Sequence, residues 1–202
     1  MIRYKSPKIL RKVSRKLEWE IKTQEKEVFF TFDDGPHPEI TYWVKEQLEN
    51  HGSKGTFFSI GNNFTKYPEV SINLLESGHS LGNHTFNHEN GWKTDKDIYL
   101  NSIKKTAELI DSKMFRPPYG KIPYRLIGEI AKDYRIIMWS LLSRDFEATL
   151  NTHQSLQQMQ RNLKPGSILV FHDSEKAEKN LKKLLVPMLD FAVSEGYKIN
   201  CL

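Results

Sequence analysis

The feature that most constrains the fold of this chain is a regular alternation of short apolar runs with longer segments of helical spacing. Strand-like runs occupy Val28 to Phe32, Gly55 to Ile60, His79 to Gly82, Met114 to Arg116, Arg135 to Ser140, Ser167 to Phe171 and Tyr197 to Cys201. Between them, Ile40 to Asn50, Pro68 to Ser77, Asp95 to Asp111, Pro123 to Lys132, Leu156 to Leu163 and Ala177 to Glu195 carry helical spacing. Strand, helix and strand in succession imply right-handed crossovers, and so a parallel sheet covered by helices. Seven such strands predict an α/β parallel barrel one strand short of the eight-stranded form. With 202 residues and 38% apolar content, the chain is long enough for one well-buried core and short for two.

In such a barrel the reacting groups collect at the C-terminal strand ends. Asp33 and Asp34 of Thr31-Phe32-Asp33-Asp34-Gly35 end the first run, and His84 and His88 follow the third. Arg116 and Tyr119 of Arg116-Pro117-Pro118-Tyr119-Gly120 end the fourth, Asp145 of Arg144-Asp145-Phe146 follows the fifth, and His172 ends the sixth. All five clusters therefore fall on one rim. If residues 84 to 88 form a helical turn, the spacing of four puts both imidazoles on one face. A carboxylate then completes a three-ligand site whose open position takes water or substrate, leaving the second aspartate free as a base. Each piece alone has an ordinary explanation, a surface histidine pair or an Asp-Asp-Gly turn. Five clusters on one rim do not.

These motifs resemble the polysaccharide deacetylase family, carbohydrate esterase family 4, whose domain is a distorted seven-stranded parallel (β/α) barrel. Thr31-Phe32-Asp33-Asp34-Gly35 is similar to its first motif, His84-Thr85-Phe86-Asn87-His88 to its second, Arg116-Pro117-Pro118-Tyr119 to its third and Leu169-Val170-Phe171-His172 to its fifth. The likeness makes residues 27–202 a catalytic domain and leaves residues 1–26 as a basic extension, expected to be helical and packed on the barrel. It implies Asp33 as general base, His172 as general acid, and Asp34, His84 and His88 as ligands of one divalent ion, zinc with cobalt as the alternative. It further implies a second oxyanion contact from the Tyr119 backbone amide, and hydrolysis of N-acetyl groups on amino-sugar polymers. Arg116 is expected to pair with Asp33, and Asp145 to favour protonated His172.

The fourth motif departs from the family pattern Asp-x-x-Asp-Trp, reading Leu142-Ser143-Arg144-Asp145-Phe146. Leu142 and Phe146 are expected in a rim loop that alters one wall of the pocket, so substrate choice is what the departure affects. His37 reads as a loop residue and His79 as a buried hydrogen-bonding residue. Trp139 reads as core, and Trp92, in the polar loop after the histidines, is the best sugar-stacking candidate.

The substrate partner expected is an acetylated amino-sugar oligomer or glycoconjugate. A non-sugar amide or imide, or a silent carbohydrate-binding role, stays open as an alternative. A net charge of +5 is spread too widely for nucleic acid recognition, and the one cysteine, Cys201, excludes an internal disulfide. The basic start Met1 to Lys8 is followed by Arg11, Lys12, Arg15 and Lys16 rather than an apolar h-region, and no run is long enough to span a membrane. The chain as written is therefore expected in the cytoplasm or peripheral to the membrane, with action beyond the membrane and oligomeric state left open.

Overall fold

The computed structural model describes Lys5 and residues 14–202. Its strands are β1 (Leu17–Glu18), β2 (Glu27–Asp33), β3 (Thr56–Ser59), β4 (Ser80–Asn83), β5 (Met114–Phe115), β6 (Arg135–Ile137), β7 (Leu141–Leu142), β8 (Ile168–His172) and β9 (Lys198–Ile199). Its helices are α1 (Ile40–Asn50), α2 (Gly61–Lys66), α3 (Pro68–Glu76), α4 (Lys96–Ala107), α5 (Tyr124–Ile130), α6 (Thr152–Asn162) and α7 (Glu178–Ser194). Every strand pair is parallel, in the order β1-β6-β5-β4-β3-β2-β8-β7, with β9 on the start of β2.

Chain connectivity forces this sheet to curl. From β6 to β7 is six places in the strand order, about 29 Å across a flat sheet at ~4.8 Å per strand. Only residues 138–140 join the two, a reach of about 15 Å over four Cα steps. The sheet therefore wraps into the α/β barrel that the alternation predicts. Met138 N–H bonds Glu18 O at 2.7 Å on one edge, and Ser140 N–H bonds Ile168 O at 3.0 Å on the other. That crossing ends the expected strand Arg135 to Ser140 at Ile137, and β7 begins only beyond it, at Leu141.

Alternation along β2 sorts its side chains. Phe30 and Phe32 face the outer cluster with Val44, Leu48, Phe171, Leu185 and Met188, between the sheet and its helices. Phe29 faces the inner cluster with Phe58, Met114, Ile137 and Ile168. The same parity carries Thr31 and then Asp33 up the inner face to the barrel mouth.

Two local expectations differ. Leu17 lies in β1, paired with Ile136, rather than on a helix; Glu18 and Arg135 close that edge with two hydrogen bonds of 3.1 and 2.8 Å. Ile9, Leu10 and Val13, the rest of the expected helix, lie outside the described residues. Helix α6 starts at Thr152, four residues earlier than its apolar pattern, because the Asn151 side chain accepts from Gln154 N–H at 3.0 Å and caps it. No described helix is long and apolar enough to cross a membrane.

Candidate metal centre

The rim loops store backbone strain. All five described non-glycine residues with positive φ lie there: Asp34, Thr85, His88, Tyr119 and Arg144. Such conformations cost on the order of 1–3 kcal/mol each and persist only where the surroundings fix them. They aim side chains that regular strand ends would send elsewhere.

The two histidines meet in a loop rather than the helical turn that their spacing suggests. Positive φ at Thr85 and His88 bends residues 84–88 so that the imidazoles stand 5.1 Å apart. Gly61 and Asn62, at the open start of α2, donate to Thr85 O and Phe86 O at 2.9 Å each. Glu89 accepts from Ser102 Oγ at 2.6 Å and from Asn87 N–H at 3.1 Å, closing the loop from outside.

Asp34, His84 and His88 bring their ligand atoms within 4.8 Å of one another. Asp34 Oδ1 lies 3.1 Å from His88 Nε2 and 3.8 Å from His84 Nε2. The donor chemistry fits a cation. His84 Nδ1 sits 2.8 Å from the Arg116 carbonyl, which only accepts, so that nitrogen carries the proton and Nε2 presents a lone pair. Burial holds the His84 ring neutral, with a pKa lowered to about 4. His88 Nδ1 is likewise engaged, 3.1 Å from Tyr119 Oη, leaving Nε2 inward. Burial alone would raise the Asp34 carboxyl, but His88, His172 and His84 around it hold it below the ordinary carboxylate range. Its Oδ1 is buried without a hydrogen-bond partner. One carboxylate oxygen and two imidazole Nε2 atoms therefore converge on one point, a donor set that suits a divalent ion.

Asp33 is sorted away from this group. Arg116, fully buried, donates from Nη1 to Asp33 Oδ1 at 2.6 Å and to Thr31 Oγ1 at 2.7 Å, and from Nε and Nη2 to Ile137 O and Met138 O at 3.2 and 3.1 Å. Its guanidinium lies 4.0 Å over the Phe58 ring. A buried cation is tolerated only with its donors engaged, and here they form the floor of the site.

His172 is the register partner of Asp33 across β2 and β8. Buried Asp145 accepts from His172 Nδ1 at 2.7 Å and from its backbone N–H at 2.8 Å. Burial lowers the imidazolium, yet the charge and hydrogen bond of Asp145, with Asp34 and Asp33 behind, raise its pKa to about 9. Phe146 stands edge-on to His172 at 5.1 Å, so that part of the altered fourth motif does wall the site. Leu142 does not lie in a rim loop. It is buried in β7 opposite Val170, because the strand continues one residue past Leu141 before turning.

Tyr119 occupies the 3₁₀ turn Pro118–Gly120 at φ 60°, with its ring 4.5 Å from His88. Gly120 is required there, since a Cβ would come within 2.6 Å of the Trp139 ring. Trp139 packs on two core clusters, as its strand context suggests. Trp92 is 68% exposed, its indole N–H fixed to Ile122 O at 3.1 Å. His37 caps α1, its Nδ1 accepting from Glu39 and Ile40 N–H at 3.2 Å. His79 is buried and accepts from Gly55 N–H at 3.1 Å, far from the metal group in the fold.

Two residues with no role in the sequence reading enter the site. Asp173 accepts from Gly35 N–H, and Asn63 donates to Asp34 O at 2.8 Å. Adjacency to His172 was the available signal for Asp173; Asn63 carries none. Beside Asp34 a cleft of ≈ 350 Å³ opens between His37, Asn63, Tyr67 and Lys176, large enough for part of a polymeric substrate.

Fold and site thus define a parallel (β/α) barrel with a two-histidine, one-carboxylate group at its C-terminal rim. The polysaccharide deacetylase family model matches residues 20–137, and the chain belongs to that family. It is 34% identical over 155 residues to a peptidoglycan-N-acetylglucosamine deacetylase of Bacillus cereus, covering 73% of this chain and 56% of that relative. A chitooligosaccharide deacetylase of Azorhizobium caulinodans is 35% identical over 154 residues, 72% of this chain and 73% of the relative. A crystal structure of a peptidoglycan N-acetylglucosamine deacetylase, solved in complex with 4-naphthalen-1-yl-N-oxidanyl-benzamide, superposes with a TM-score of 0.82 at 28% identity, covering 93% of this chain and 91% of that one.

Proposed function

We propose that this chain is a metal-dependent hydrolase that removes N-acetyl groups from amino sugars of a glycan. The observation that carries the reading is the sorting of two adjacent carboxylates: Asp34 faces two imidazole nitrogens, while Asp33 is paired with Arg116, at the strand position beside His172. Amide hydrolysis needs those two environments together. A divalent ion, for which zinc is our assignment, would be held by Asp34, His84 and His88, and when bound lowers the pKa of water and polarises the acyl oxygen.

The chain's own groups then divide the proton work. Asp33, oriented by Arg116, takes the proton of the attacking water. His172, kept charged by Asp145, gives a proton to the departing sugar nitrogen. The strained Pro118–Gly120 turn offers the Tyr119 N–H to the developing oxyanion. Relatives named as deacetylases of peptidoglycan N-acetylglucosamine and of chitooligosaccharide support the substrate class. The test is acetate release over N-acetylglucosamine oligomers, N-acetylmuramic acid glycans and acetylated xylan. Release from an amino sugar, lost on chelation, is expected; release from xylan alone would overturn the N-acetyl assignment.

A further inference from the structure

Asp173 is 1% exposed, burial pushes its pKa up to about 8, and its carboxyl group is spent on the turn that carries the metal carboxylate. Oδ1 accepts from Gly35 N–H at 3.1 Å, and Oδ2 accepts from Thr41 Oγ1 at 2.5 Å. Thr41 Oγ1 in turn accepts from His37 N–H at 2.8 Å. The Asp173 backbone N–H donates to Asp33 O at 3.1 Å. One residue thus grips positions 33 and 35 directly and position 37 through Thr41. Asp34 lies between those grips at φ 82°, a left-handed conformation that a non-glycine residue leaves when released. On its other side Asn63 holds Asp34 O, and Ile60 N–H holds Gly35 O at 2.9 Å. The fit leaves no slack, since a Cβ on Gly35 would fall 2.1 Å from Asp173 Oδ2.

We propose that Asp173 is a positioning residue for the metal carboxylate: by clamping the Asp33–His37 turn it fixes left-handed Asp34 against the two histidines, and so sets the affinity of the site for its ion. This rests on the reading of Asp34 as a metal ligand. The clamp acts on backbone, so it stabilises the aim of Asp34 without touching substrate or ion. Groups that orient metal ligands typically contribute about ten- to hundredfold in affinity.

The experiment uses the full chain and its Asp173→Ala, Asp173→Asn, Thr41→Val and Asp34→Asn variants. Zinc affinity is measured by competition with a chromophoric chelator below each variant's metal-free Tm, and kcat and KM at saturating zinc. Asp173→Ala should weaken zinc about ten- to hundredfold with KM unchanged. Asp173→Asn, which keeps an oxygen for Gly35 N–H, should recover most of that loss. A lowered Tm with zinc affinity unchanged in Asp173→Ala would overturn the proposal, as would equal losses in the Ala and Asn variants. Should Asp173→Ala fail to fold, Thr41→Val decides, because Thr41 reaches Asp34 only through the clamped turn: severalfold weaker zinc supports the proposal and unchanged affinity overturns it. Asp34→Asn separates the two readings. Loss there without loss in Asp173→Ala removes the clamp alone, whereas retained affinity there removes Asp34 as a ligand.

Discussion

Asp145→Asn should strip His172 of the charge that keeps its ring protonated. Asp145 is the nearest charge to the ring, at 2.7 Å, and both are withdrawn from solvent. Burial pulls the imidazolium down, and Asp145, with smaller help from Asp34 and Asp33, more than reverses that, raising the pKa from 6.5 to about 9. That rise corresponds to about 3 kcal/mol in favour of the charged ring. The sign follows from linkage: a raised histidine pKa contributes stability that is complete below pH 6.5 and is lost as pH rises through about 9. Asparagine keeps the size and one acceptor but removes the charge, so His172 should titrate at or below its ordinary value. In metal-free protein the ring is followed by NMR, and stability by urea unfolding at pH 6 and pH 10. The variant should be less stable by about 3 kcal/mol at pH 6 and much closer to the parent at pH 10. In the zinc-loaded enzyme the alkaline limb of the rate profile should move to lower pH. An unchanged His172 titration, or a stability loss equal at both pH values, would show that Asp145 does not hold the ring charged.

Asp33→Asn should bind zinc like the parent while losing at least about a hundredfold in kcat, because the proton acceptor is removed and the ligand residues stay; a parental rate would reassign the base. Gly35→Ala should destabilise the protein by about 1–3 kcal/mol, since the new methyl group overlaps Asp173; an unchanged Tm would show that the turn has room to shift. Phe146→Trp should change the order of kcat/KM across glycan substrates with zinc affinity unchanged, because Phe146 borders His172 and not the ligand group. A preserved order would remove this wall from substrate choice.

The rim was legible because each motif follows an apolar run, and parity along a strand is fixed by the pleat. Asp33 turning inward is a consequence of Phe29 and Thr31 doing so. Helix α1 was read to the residue, with Val44 and Leu48 recurring on its buried face. What spacing misled on was the route between His84 and His88: a four-residue interval suits a helix, but Thr85 and His88 at positive φ deliver the same convergence from a loop. Helix α2 was missed because Gly61-Asn62-Asn63-Phe64-Thr65-Lys66 is short and has no apolar stripe; its start is fixed by bonds to Thr85 and Phe86, which are contacts distant in sequence. Leu142 was displaced from loop to strand by the three-residue crossing between sheet edges, a property of the closed barrel rather than of local sequence.

On the proposed function, one metal ion held by Asp34, His84 and His88 makes this chain an N-acetyl deacetylase. The most direct measurement is acetate released from an N-acetylglucosamine oligomer or peptidoglycan glycan as chelated protein is titrated with zinc, beside His84→Ala at the same concentration. Acetate release should rise linearly and level off at one zinc per chain, with His84→Ala inactive across the range. Full release by the chelated parent, or an active His84→Ala variant, would contradict it.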